Sequence, residues 1–220
     1  DAESFYQRAL VYTQTNRIRP ALADLDQALL LRPDHLQALM ARGTARLRVG
    51  EVESARQDFA AAQRLEPDNA DLALEVAQAF AGAGKASEAI AQLDGWLERF
   101  PKEVRRFGVQ SARCRVRAVA NLDLDLALAD CDTAIKKGVR TTLSYNSRGL
   151  VHLRLGSYEK AIDDYGEALE LQPRDAGSLY GRGLAELRQG RTEEGEKDLA
   201  AATAVDAKIE AQYTKLGLKR

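Results

Sequence analysis

Two cysteines, two histidines and a recurring set of arginines and aspartates are the side chains of this chain whose types and spacing bear on chemistry. Arg8, Arg42, Arg113, Arg148 and Arg182 recur along the sequence, and Asp24, Asp58, Asp130, Asp164 and Asp198 follow at nearly constant offset. Where the series skips a step, Val76 and Gln92 stand in place of both partners, so the two types vanish together. An arginine fork holds a carboxylate with two parallel bonds, so the pattern reads as a structural Arg–Asp ladder. Pairing within a repeat is favoured, and pairing to the neighbouring repeat is the alternative. His35 and His152 have no cysteine or carboxylate at metal-ligand spacing, which makes each a packed or solvated imidazole. No glycine loop of the phosphate-binding kind and no nucleophile elbow occurs. The expected set is therefore empty: no catalytic residue, no cofactor, no metal. Lys102 to Arg117 carries six basic residues and one acidic, but Asp123, Asp125, Asp130 and Asp132 follow. That is a balanced pair of helices rather than a nucleic-acid surface.

The elements that position these residues are legible from periodicity. Within Thr142 to Asp175, Tyr145, Gly149 and His152 form one helical stripe, and Ala161, Tyr165 and Ala168 form another. Gly156 and Ser157 interrupt them and Pro173 closes the segment, as expected of a tight helical hairpin. Pro33, Pro67 and Pro101 fall 34 residues apart. Proline ends helices, so this period marks stacked units, each too small to bury its own apolar face.

At Tyr145, Gly149, Gly156, Tyr158, Ala161, Tyr165, Ala168 and Pro173 the segment resembles the tetratricopeptide repeat, a 34-residue helix–turn–helix unit. The resemblance implies an all-α fold, an α-solenoid of six such units in one domain over 1–220. The units run at about 2–35, 36–69, 70–103, 104–141, 142–175 and 176–209, with a capping helix at about 207–217. Pro101 to Pro173 spans 72 residues, four more than two periods, which places about three extra residues near Val104 to Arg106 and one near Asn121 to Asp123. Trp96 stands where a small residue is usual and reads as core packing. Asp206 reads as the N-cap of the last helix, with Ile209, Tyr213 and Leu216 on one face.

In that register Cys114 takes the small-residue position of one first helix and Cys131 the aromatic position of its partner. The facing stripes would bring them within disulfide reach. The alternative is two buried thiols acting as small apolar residues. A disulfide favours a periplasmic or exported location, its absence a cytoplasmic one.

Net charge of −1 draws the chain to neither nucleic acid nor an anionic membrane, and no apolar run approaches the roughly 18 residues of a membrane span. No segment reads as a signal peptide. The only methionine is Met40, so Asp1 reads as the start of a processed form or of a piece of something longer.

The family lines a concave groove with its first helices, and this placement assigns Tyr6, Leu10, Met40, Leu47, Leu74, Leu143, Leu150, Leu153, Tyr180, Leu184 and Leu187 to it. Arg48, Arg154 and Arg188 recur beside the turns, with Arg115 nearby. Apolar anchors rimmed by arginine suit an apolar, acidic-flanked peptide or helix. The family's chaperone-tail clamp of lysine and asparagine is missing, since its positions hold Tyr6, Leu10, Ala41, Asp71, Glu75, Ser111, Arg115, Ser147, Gly177 and Gly181. The expected function is a non-enzymatic protein–protein interaction scaffold whose partner is a protein or peptide. The alternative is a structural or accessory region of a larger protein, or a self-association module forming a homo-oligomer. The latter part, at about 110–217, also resembles repeat regions of exported alphaproteobacterial proteins, some of which follow a transglutaminase-like domain.

Overall fold

The computed structural model describes residues 1–220, and every regular element is helical. Two compact units divide the chain, Asp1–Phe100 and Pro101–Arg220.

The first unit holds α1 (Ala2–Gln14), α2 (Ile18–Leu31), α3 (Leu36–Arg48), α4 (Val52–Leu65), α5 (Ala70–Gly82) and α6 (Ala86–Arg99). Successive helices pair as hairpins, α1 with α2, α3 with α4 and α5 with α6, and α2 also packs on α3. Asp1 and Asn69 start first helices by accepting backbone N–H groups from Ser4 and from Asp71 and Leu72. The turn after α1 is made by Asn16 at φ 58° and those after α3 and α5 by Gly50 and Gly84, also at positive φ. Small residues hold the α1–α4 helices close: Ala9, Ala21, Ala28, Ala38, Ala45 and Ala62 are buried around Leu25 and Leu39. In the third hairpin Val76 is buried where the other units carry arginine, and Phe80 meets Phe59 edge-on at 5.3 Å. Trp96 is buried beside Phe100, with ring centroids 5.2 Å apart.

The second unit holds α7 (Arg106–Ala120), α8 (Leu124–Lys136), α9 (Thr142–Arg154), α10 (Tyr158–Leu171), α11 (Ala176–Arg188), α12 (Thr192–Val205) and the short α13 (Ile209–Lys215). Here too the helices pair in order, and α8 packs on α9 as α10 does on α11. The turn between α7 and α8 puts two non-glycine residues, Asn121 and Asp123, at φ 56° and 43°. That longer turn lies where the sequence carries an extra residue, and Arg113 and Asp130 are 17 apart rather than 16. Thr141 and Ser144 form a reciprocal capping box at the start of α9.

Tyr165 on α10 is fully buried and fills the space that two glycines leave. A Cβ on Gly149 would stand 3.1 Å from its ring, and one on Gly181 only 2.3 Å. One helix-borne aromatic therefore locks α9 and α11 together through glycines on both.

The last helix departs from the expectation. Lys208, not Asp206, precedes its first residue. Asp206 ends α12, and its carboxylate accepts from the Lys208 N–H at 2.9 Å and from Gln212 Nε2 at 2.7 Å. The aspartate still satisfies an orphan donor, three residues before the helix begins.

Candidate interaction surface

The ladder residues meet in pairs inside each hairpin. Arg8 reaches Asp24 through Nε at 2.6 Å and Nη2 at 2.7 Å, and Arg182 reaches Asp198 at 2.5 and 3.1 Å. Arg42 grips Asp58 at 2.6 Å, Arg113 grips Asp130 at 2.6 and 2.8 Å, and Arg148 grips Asp164 at 2.6 and 2.9 Å. The five aspartates are buried, while their arginines range from half-buried to exposed at Arg8. Neighbouring hairpins take part as well, because Arg42 donates to Asp26 of α2 and Arg148 to Asp132 of α8, each at 2.8 Å. Within-repeat and between-repeat pairing thus coexist on one guanidinium, whose five donors outnumber one carboxylate's needs.

A second series, one helical turn beyond four of the five ladder arginines, escaped the sequence reading. Arg46 bonds Asp58 and Arg117 bonds Asp130, both at 2.7 Å, and His152 Nε2 lies 3.8 Å from Asp164. Glu186 holds this place in the last hairpin, where burial first and the neighbouring Asp198 second push its carboxyl up. The signal was present as an i,i+4 spacing from Arg42, Arg113, Arg148 and Arg182. Burial holds the His152 imidazole below its usual range. Asp164 and Asp132 oppose that shift, while Arg148 and Lys160 reinforce it. His35, between α2 and α3, is packed rather than solvated, with its ring 4.9 Å from Tyr6 and Nε2 3.4 Å from Glu3.

Cys114 on α7 and Cys131 on α8 are joined by a disulfide with a Cα separation of 5.6 Å. No group of three or more His, Cys, Asp or Glu side chains is arranged to hold a metal. No helix is long and apolar enough to cross a membrane.

The first-helix residues assigned to a groove separate by unit. In the first, Tyr6, Leu10, Met40 and Leu74 are half-buried and Leu47 is buried. In the second, Leu143 is exposed and Leu187 and Arg115 half-buried, but Leu150, Leu153, Tyr180 and Leu184 are buried. Those four are not open surface. They belong to a core that also takes in Ile209, Tyr213 and Leu218 from the C-terminal segment.

Arg48, Arg154 and Arg188 each donate to oxygens of another segment of the chain. Arg48 donates to the Thr13 carbonyl at 3.4 Å and to Asn16 Oδ1 at 2.9 Å, at the end of the preceding first helix. Arg154 donates to the Val119 carbonyl at 3.2 Å, at the end of α7. A cation there satisfies orphan carbonyls and suits the negative end of the helix dipole. Arg154 makes a second bond, to the Leu216 carbonyl at 2.9 Å, and Arg188 donates to the Lys219 carbonyl at 3.1 Å.

Paired helices repeating at a fixed period, with small residues at their crossings and no strands, define an all-α helical-repeat protein of the α-solenoid class. The tetratricopeptide repeat matches residues 6–63, 40–104, 117–168 and 146–209, and the chain belongs to that family. It is similar to rat sperm-associated antigen 1, 23% identical over 212 residues that make up 95% of this chain and 23% of that protein. It is also similar to human tetratricopeptide repeat protein 16, 25% identical over 226 residues, 99% of this chain and 24% of that protein. The chain thus spans about a quarter of the length of these relatives. Among solved structures, yeast Tom70 superposes with a TM-score of 0.71 at 17% identity, over 99% of this chain and 46% of that one. The type IV pilus biogenesis factor PilW does so at 0.69 and 16% identity, over 98% and 97%.

Proposed function

We propose that this chain is a non-enzymatic scaffold that takes a peptide or helix of a partner protein on the faces formed by its first helices. Tetratricopeptide repeats in general mediate protein–protein interaction, and this chain is built of them. The observation that carries the finer reading is the strip of half-buried apolar side chains Tyr6, Leu10, Met40 and Leu74 on successive first helices of the first unit. Part-exposed apolar and aromatic residues in series are what an interface core uses. The five ladder aspartates do not compete for that role, because each is paired with an arginine.

A second reading, an accessory region of a larger exported protein, draws on the Cys114–Cys131 bond, which suits an oxidising compartment. It also draws on the chain matching only about a quarter of its relatives' length.

The test is site-specific photo-crosslinking in lysate of the source cell. A crosslinker replaces Met40 or Leu74 on first helices, or the exposed Leu65 at the end of a second helix. Adducts of defined mass from the first two positions alone support the scaffold. Equal capture from Leu65 refutes the first-helix assignment.

A further inference from the structure

The C-terminal segment does not prolong the repeat stack. Packed helices lie about 8–10 Å apart, so a helix continuing the series beyond α11 would stand roughly 16–20 Å from α9. No arginine spans that distance. Yet the Arg154 guanidinium at the end of α9 is 2.9 Å from the Leu216 carbonyl, just past α13. α13 packs on α11 and α12, and the chain just past it turns back to the end of α9.

Its contacts read like those of a bound peptide. The Tyr213 hydroxyl donates to the Gly177 carbonyl at 2.7 Å, and its ring lies 4.7 Å from that of Tyr180. The Tyr165 ring and hydroxyl fill the space beside Gly181 on α11. Burial pushes the pKa of both phenols up, so both stay protonated, and each perturbs the other. Ile209, Tyr213 and Leu218 are buried, Leu216 is half-buried, and the positions between them are exposed. Arg154 and Arg188 receive the carbonyls of Leu216 and Lys219, and Arg220 pairs with Glu196 of α12. The seat is incomplete. A cleft of about 420 Å³ remains between the segment's Glu210 and Arg220 and the α12 residues Leu199, Ala200 and Thr203. A helix of 7 residues also has little stability of its own.

We propose that the α9–α11 face is a binding site for a short amphipathic helix of a partner protein, and that residues 206–220 are its resident occupant, displaced when the partner arrives. The resident defines the ligand chemistry: an aliphatic residue, then a tyrosine four positions on, then two leucines, ending in a glycine-broken helix terminus whose free carbonyls meet two arginines. Its flank is basic, facing Glu196. This deepens the scaffold reading for the second unit and rests on it. A face whose competent state is masked binds with an affinity reduced by the unmasked fraction, so loosening the resident raises apparent affinity.

The probe is a fluorescein-labelled synthetic peptide of residues 206–220, followed by anisotropy against the full chain. Tyr213→Ala loosens the resident and is expected to bind the peptide at least tenfold tighter than wild type. Adding Arg188→Ala is expected to weaken that binding roughly threefold or more, by removing a charged donor. A folded Tyr213→Ala chain that binds no tighter than wild type overturns the proposal and leaves a fixed cap. Should Tyr213→Ala fail to fold, hydrogen exchange of the wild-type chain decides. Amides of 209–218 that exchange well before those of α9 and α11 support a displaceable segment. Exchange only through global unfolding overturns it. The assay uses purified chain and peptide alone, so its failure leaves the crosslinking test of the first unit standing.

Discussion

Arg148 and Asp164 offer the clearest measure of what the ladder contributes. The Asp164 side chain is 5% exposed and that of Arg148 22%, and two of the guanidinium nitrogens contact the carboxylate at 2.6 and 2.9 Å. Burial pushes the Asp164 carboxyl above its usual range, Asp132 adds to that, and the Arg148 fork opposes it without cancelling it. Arg148→Ala leaves a buried carboxylate with His152 at 3.8 Å as its remaining neighbour. The expected loss is about 3 kcal/mol, the range found when one member of a buried pair is removed. Asp164→Ala leaves Arg148 its second partner, the exposed Asp132 at 2.8 Å, and partial access to water. Its expected loss is about 1–2 kcal/mol. The double variant should then show a coupling of about 1–3 kcal/mol, as for residues in one network. Urea titrations of wild type, both singles and the double give each stability, provided the slopes agree. A coupling below about 0.5 kcal/mol refutes the view that the pair holds the hairpin together. The equivalent pair at Arg8 and Asp24 is more exposed on the arginine side, at 57%, and should couple less.

Two further outcomes follow from the second unit. Closing a 17-residue loop between Cys114 and Cys131 should contribute about 3 kcal/mol, so a reducing agent should lower the urea midpoint. Mass spectrometry of unreduced protein after alkylation should find no modified thiol, and two alkylated cysteines would refute the bond. For His152, burial lowers the folded pKa below the unfolded value of about 6.5, so the unfolded chain binds the proton first. Stability is then full above about pH 7 and falls as pH drops through 6.5 toward the depressed folded value. His152→Phe should flatten that slope between roughly pH 5.5 and 7.5, and an unchanged slope would show that the imidazole is not its source.

Much of this protein is written in its period. Prolines 34 residues apart, glycines at the turns and stripes at helical spacing determine where helices begin and end, because each depends on a residue and its near neighbours. The same register places Arg148 opposite Asp164 and Cys114 opposite Cys131, since a hairpin with a short turn leaves few alternatives. Contacts across repeats obey no such rule. That Arg148 also holds Asp132, that Arg48 and Arg154 cap preceding helices, and that Leu150 and Tyr180 are buried depend on how helices distant in sequence approach one another. The end of the chain shows the division most sharply. From sequence, Ile209, Tyr213 and Leu216 make one face of a capping helix, and an amphipathic stripe specifies that it is covered but not by what. The Gly177 carbonyl that accepts from Tyr213 and the two arginines that donate to carbonyls of the segment lie some thirty to sixty residues upstream, and only tertiary structure brings the segment back onto them.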